Sequence, residues 1–189
     1  MGECMNWLLF LAQLPTNPSS LRVMVWRKMR AAGALGLQNG VWMLPDNPDL
    51  LAYVLDLLSN IQSQGASGQI FQVNPLTLET EQDILSRFRY ERDEEYAEFC
   101  ERCEEFLEEI QKETAKQKFS FAELEENEQD LQKLETWFEK IRKRDFVGAD
   151  RADKALDLFS QVKTILETFS AAVYGNQGLG TDSSNNLNE

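Results

Sequence analysis

The chain has 189 residues, enough for one domain or two small ones, and 42% hydrophobic content supports a core despite 27% charged residues. Thirty-two Asp and Glu against nineteen Lys and Arg give a net charge of −13, and histidine is absent, which excludes Ser-His-Asp and Cys-His nucleophile systems and removes the commonest transition-metal ligand. Three cysteines, Cys4, Cys100 and Cys103, are too few and too odd for a disulfide framework and point to a reducing, cytoplasmic setting.

No apolar run reaches the length of a transmembrane helix, so no membrane partner is expected. The opening MGECMNWLLFLAQLP lacks a cationic n-region and is not read as a signal peptide. Asn6 breaks the N-myristoylation pattern. The run NWLLFLAQL, 6–14, reads as a short buried strand ending at Pro15. TNPSS follows as a turn, with Ser19 or Ser20 placed to cap the next helix. Leu21, Val25, Met29 and Ala32 form one stripe of that helix, and Gly33 ends it. ALGLQNGVWML reads as a hairpin about Asn39-Gly40, a pair suited to a two-residue turn with positive φ at both positions. After the breaker PDNP, Leu50, Leu51, Val54, Leu57, Leu58 and Ile61 mark a second amphipathic helix. GASG is a loop, and QIFQV is a short strand.

The order over residues 6–74 is therefore β-α-β-β-α-β. The expected fold class is α+β: a ferredoxin-like domain, 1–78, followed by an antiparallel bundle of about three helices. Three apolar stripes define that acidic bundle, 79–174. They are Tyr96, Phe99, Cys100, Cys103, Phe106, Leu107 and Ile110; then Leu124, Leu131, Leu134, Trp137, Phe138 and Ile141; then Leu158, Phe159, Val162, Ile165, Leu166, Phe169 and Val173. Residues 175–189, GNQGLGTDSSNNLNE, read as a disordered tail from their Gly, Asn and Ser content.

Charge is unevenly placed. Residues 1–78 carry four cations (Arg22, Arg27, Lys28, Arg30) and four anions (Glu3, Asp46, Asp49, Asp56). The remaining fifteen cations and twenty-eight anions lie in 79–189, which holds the whole −13. The stretch 14–45 has no acidic residue. Arg22, Arg27, Lys28 and Arg30 are thus candidate phosphate or DNA contacts, against the alternative that they solvate the outside of a packed helix. Lys140, Arg142, Lys143 and Arg144, in EKIRKRDF, are a second candidate anion site. Their plainer role is to complement a helix C-terminus.

Cys100 and Cys103 form a C-x-x-C, but mid-helix, on an apolar stripe and beside Glu98, Glu101, Glu104 and Glu105. Zinc needs more ligands than remain, and a thioredoxin-like thiol would sit at a helix start. Buried packing is the expected role; redox chemistry is the alternative. The glutamate runs lack the His partners of a di-iron bundle and read as solvated faces. No metal, cofactor or catalytic residue is expected.

The segment WLLFLAQLPTNPSSLRVMVWRKMRAAGALGLQNGVWMLPD, 7–46, resembles the N-terminal domain of ChrB-type proteins. The likeness continues through RDEEYAEF (92–99), KFSFAELEENEQDL (118–131) and WFEKIRKRDFVGA (137–149). It implies a chromate-responsive regulator of a resistance operon, here as a stand-alone N-terminal module without the C-terminal chromate-resistance domain. Part of the same segment is also similar to the ferredoxin-like domain of PaaX-type repressors, related to small CRISPR-associated nucleases. Those nucleases carry a metal-binding Asp after the first strand; Leu14-Pro15-Thr16-Asn17 stands there instead, so nuclease activity is not implied. Operator DNA, chromate or another oxyanion, and a second copy are the expected partners. An interaction module without DNA contact and a thiol-dependent oxyanion reductase are the alternatives.

Overall fold

The computed structural model describes residues 5–17 and 19–182, with side chains through residue 176. The order is β1 (Trp7–Gln13), α1 (Ser20–Ala31), β2 (Leu35–Gln38), β3 (Val41–Pro45), α2 (Pro48–Ser63), β4 (Ser67–Val73), α3 (Leu78–Ala115), α4 (Phe121–Arg144) and α5 (Ala152–Asp182). Two compact units emerge: Met1–Arg89 with Arg144–Val147, and Tyr90–Lys143 with Gly148–Glu189.

The first unit contains the expected β-α-β-β-α-β arrangement. Its sheet has the order β2-β3-β1-β4, antiparallel throughout. β1 pairs with β3 from Trp7↔Pro45 to Leu11↔Val41, and with β4 from Trp7↔Val73 to Gln13↔Ser67. Alternation along β1 sends its side chains to two different cores. Leu8 and Phe10 meet Trp42 and Leu44, with Leu21, Val25 and Met29 of α1 and Val54, Leu57 and Ile61 of α2. Trp7 and Leu9 face the other way, with Leu35 and Met43, onto Ile84 and Phe88 of α3. Trp7 stacks on Phe88 at 5.2 Å between ring centres. Both faces of the sheet are therefore covered.

Three local expectations are corrected. Ser19 lies in helical backbone space (φ −72, ψ −11) and makes no side-chain cap bond. α1 starts instead on the Ser19 carbonyl, which accepts from Val23 N–H at 3.0 Å. At the hairpin, Gly40 has φ +75, but Asn39 does not share it: Gln117 is the one non-glycine with positive φ among the described residues. The pairing of β2 with β3 shifts register between Gly36 and Gln38, the kind of irregularity that increases local strand twist. β4 begins at Ser67, so the strand takes in half of the expected GASG loop.

Other punctuation follows the sequence. α1 ends in a Schellman motif: Ala34 N–H reaches the Met29 carbonyl at 2.9 Å and Gly33 N–H reaches Arg30 at 3.0 Å, with Gly33 at φ +78. α2 starts with Pro48 behind Asn47, whose side chain accepts from Leu50 N–H at 2.8 Å.

In the second unit, α3, α4 and α5 bury the three stripes against one another. Phe99, Phe138 and Phe159 sit at its centre, with Phe99 stacked on Phe138 at 5.0 Å. Asp93 accepts from Arg151 N–H at 2.8 Å just ahead of α5. α5 continues to Asp182, into the segment whose composition suggested a tail. Each residue added to an existing helix gains a hydrogen bond, which outweighs the weak propensity of scattered glycines. Residues 183–189 of that expected tail lie outside the described residues. No helix among the described residues is long and apolar enough to cross a membrane.

Candidate functional site

α1 buries Leu21, Val25 and Met29, and this fixes where its cations stand. At 100° per residue, Val23, Trp26, Arg27 and Arg30 fall on the side opposite that stripe. Val23 and Trp26 are exposed at 43% and 55%. Arg22 lies on one flank, where its Nη2 donates to the Thr16 carbonyl at 3.0 Å. Lys28 lies on the other flank, its carbonyl accepting from the Tyr53 hydroxyl at 2.9 Å. The four cations therefore do not share one face: Arg27 is exposed opposite the stripe, Arg30 on the same side is half-buried, and Arg22 and Lys28 diverge. Lys28 and Arg30 in the last turn also complement the helix dipole.

Arg22 and Trp26 border a cleft of about 560 Å³ closed by Trp42 and by Gln38 and Asn39 of the hairpin. Among the described residues, no acidic side chain lines it. A guanidinium, indole faces and amide groups can hold an anion against a flat apolar group. The spacing of Arg22 and Trp26, one helical turn apart, was the available signal for this cleft, but the hairpin wall across from them was not legible.

The second cationic set is dispersed. Lys140, Arg142 and Lys143 are exposed near the end of α4, and the Arg142 guanidinium lies 5.9 Å from the Phe138 ring centre. Arg144 belongs to the first unit, half-buried, with its Cβ where a Gly33 side chain would have to stand. That close approach, at 2.9 Å from an added Cβ, is a second reason for glycine there.

Cys100 and Cys103 are buried in the helical core as free thiols. Burial, then Cys100 and Glu104, push the Cys103 thiol up to about 12. Burial is also the main cause raising Cys100, partly offset by Lys154. Neither has the lowered pKa of a reactive thiol.

Two buried polar features went unnoticed in the sequence. Arg92 is 2% exposed and pairs with Glu95 at 3.3 Å and Glu91 at 3.5 Å. Glu113 accepts from Asn127 Nδ2 at 2.8 Å in the core between α3 and α4. Asn127 stands within the glutamate run ELEENEQD, read as a solvated face, while Arg92 and Glu113 carry no signal of burial in their local sequence. Among the described residues, no group of three or more His, Cys, Asp or Glu is placed to hold a metal ion.

The family model "Protein ChrB, N-terminal" matches residues 22–179, from the first turn of α1 to near the end of α5. The chain belongs to the ChrB N-terminal family. Within that family, it is 32% identical over 93 residues to Protein ChrB of Cupriavidus metallidurans, a match covering 49% of this chain. The match spans 28% of that ChrB protein's length, little more than a quarter. No solved structure matches the chain.

Proposed function

We propose that this chain is a regulatory module of chromate, or more broadly oxyanion, resistance that acts on transcription. Membership of the ChrB N-terminal family is the observation that carries this reading. α1 meets operator DNA in it: Arg27 and Arg30, on the outer face, take backbone phosphates, and Arg22 and Lys28 extend the contact along the flanks. The absence of acidic residues from 14–45 supports this, since phosphate contacts are repelled elsewhere on a chain of −13. Lys140, Arg142 and Lys143 are the cations that take an oxyanion such as chromate.

The test is fluorescence anisotropy with labelled DNA from upstream of the protein's own operon, titrated at several salt concentrations, with and without chromate. Binding is tighter than to random-sequence DNA and weakens steeply with salt. Changing Arg27 and Arg30 to Ala lowers the salt slope by about 2, since each neutralised phosphate contributes about 0.9. Chromate releases the DNA, and joint replacement of Lys140, Arg142 and Lys143 abolishes that release alone. Binding indistinguishable from random DNA, or a slope unmoved by the double substitution, overturns the DNA reading.

A second reading has one specific support. The whole −13 lies in 79–189, so α3 to α5 suit a basic protein partner, with no direct DNA contact. A thiol-dependent reductase has less behind it, because both thiols are buried with raised pKa. Replacing both cysteines by Ala leaves chromate resistance unchanged if the regulatory reading holds.

A further inference from the structure

The sheet has two edges, and they are finished differently. β2 has four residues and a register shift between Gly36 and Gln38. Its Gly36 carbonyl accepts from Arg87 Nη2 at 2.9 Å. Those are ordinary devices for closing an edge to other strands. β4 has none of them. It is seven residues long, pairs with β1 over its full length without irregularity, and contains neither charge nor proline. Residues 57–78, from the middle of α2 to the start of α3, hold no charged residue at all in a chain that is 27% charged. Apolar side chains stand exposed around this edge: Phe71 at 46% on β4, and Leu76 at 98% and Leu78 at 69% just beyond it.

We propose that β4 is a homodimer edge: β4 of a second copy adds antiparallel to it, joining two four-stranded sheets into one of eight strands. Phe71, Leu76 and Leu78 provide the apolar margin that strand pairing alone lacks, since stable interfaces need about 800 Å² per partner. A second copy is the occupant for two reasons. An antiparallel strand can pair with itself about a two-fold axis, so one surface serves both sides. Charge makes the same choice. Two copies of −13 repel, and they can meet only where neither presents charge. A basic partner would instead be matched by acidic residues, and β4 itself carries none; Asp46, beside Gln72, is already engaged by that residue's amide at 3.0 Å. The proposal is independent of the DNA and oxyanion reading.

Sedimentation equilibrium on the full chain tests it. The expected result is a monomer–dimer equilibrium whose dissociation constant falls roughly threefold or more between about 0.01 M and about 0.1 M salt, as the Debye length shrinks from about 30 to about 10 Å. Pairing centred on Ile70 sets Gln69 of one copy opposite Phe71 of the other. The double variant Gln69→Glu, Phe71→Glu is therefore monomeric, with an unchanged circular dichroism spectrum. Gln69→Glu alone, a milder exposed change, weakens the dimer at least tenfold. Gln38→Glu on the β2 edge has no effect. A chain that stays monomeric at high concentration, a dimer that weakens with salt, or one indifferent to the β4 variants overturns the proposal. A monomer whose outward β4 amides are protected from hydrogen exchange overturns it too, in favour of a segment of the same chain on the edge.

Discussion

Cys103 shows how little a motif says without its surroundings. The C-x-x-C spacing is that of a redox site, yet burial inside the helical core pushes this thiol up to about 12 from an ordinary 9.0. The consequence for stability has a definite sign. The folded chain holds the proton more tightly than the unfolded chain does. The neutral thiol's contribution is therefore full below pH 9.0 and is lost as the pH rises toward about 12. The loss is at most about 1.4 kcal/mol per pH unit in that window. Cys103→Ala should cost about 1 kcal/mol at neutral pH through lost packing and should flatten the alkaline fall in stability. Urea unfolding of both proteins at neutral pH and near pH 10.5 measures this. Parallel losses in the two proteins would mean that another group titrates. Arg22 makes the matching point for binding residues. Its charge was visible in the sequence, whereas its separation from Arg27 and Arg30 around the helix is set by which stripe of α1 the sheet buries.

The turn between α3 and α4 is the element with the clearest stored strain. Lys118 N–H bonds the Glu113 carbonyl at 3.0 Å and Gln117 N–H bonds Thr114 at 3.0 Å, a Schellman closure that needs a left-handed residue. Gln117 occupies it at φ 53. Gln117→Gly should raise stability by about 0.5–1 kcal/mol, because glycine adopts this conformation without the side-chain clash. A midpoint shift in urea at constant slope checks it; a lower midpoint would show that the glutamine side chain contributes more than its strain costs. The same corner holds Glu113, whose carboxyl is raised by burial and by Glu123 and Glu109, with the Asn127 hydrogen bond opposing. Its protonated form stabilises the fold fully below pH 4.5, and that contribution is lost as the pH rises through its folded pKa. Glu113→Gln keeps an acceptor for Asn127 and removes the charge. It should be near neutral at pH 4 and stabilising at pH 7, and an equal effect at the two pH values would refute the assignment. Elements of this kind divide what the sequence discloses from what it withholds. The stripes of α3 to α5 and the strand order of the first unit follow from local periodicity, and the structure has them. The Asn39 backbone, the Ser19 cap and the cover that Ile84 and Phe88 give the second sheet face depend on register or on contacts distant in sequence. The candidate cations were legible as a list, and their grouping was not.

At the scale of the whole molecule, the question is whether the surface charge stabilises or destabilises. Exposed ion pairs are present: Arg102–Glu105 at 2.7 Å, Lys112–Glu108 at 3.2 Å and Lys133–Asp130 at 2.6 Å. Pairs of this exposed i,i+3 and i,i+4 type are each worth about 0.3–0.5 kcal/mol. Against them stands the whole −13, carried by 79–189 alone. Two like charges about 10 Å apart repel by about 0.4 kcal/mol in water, and an excess of this size makes many such pairs. Repulsion therefore exceeds the attraction. Raising salt from about 0.01 M to about 0.1 M screens both, so it removes more cost than benefit. The chain should become more stable by about 1–2 kcal/mol, a rise of roughly 2–8 °C in Tm for a protein of this size. Sodium chloride is the salt to use, because sulfate would also strengthen apolar burial. Protein concentration must stay low enough that salt-favoured pairing of β4 edges adds nothing. The site of the effect is checkable as well. Hydrogen exchange followed by mass spectrometry should show the gain in peptides from α3 to α5, while peptides from β1 to β4, in a region of zero net charge, change little. A Tm that falls with salt would mean that the ion pairs outweigh the excess, and the helical bundle would then be held together partly by the acidic surface that here is taken to oppose it.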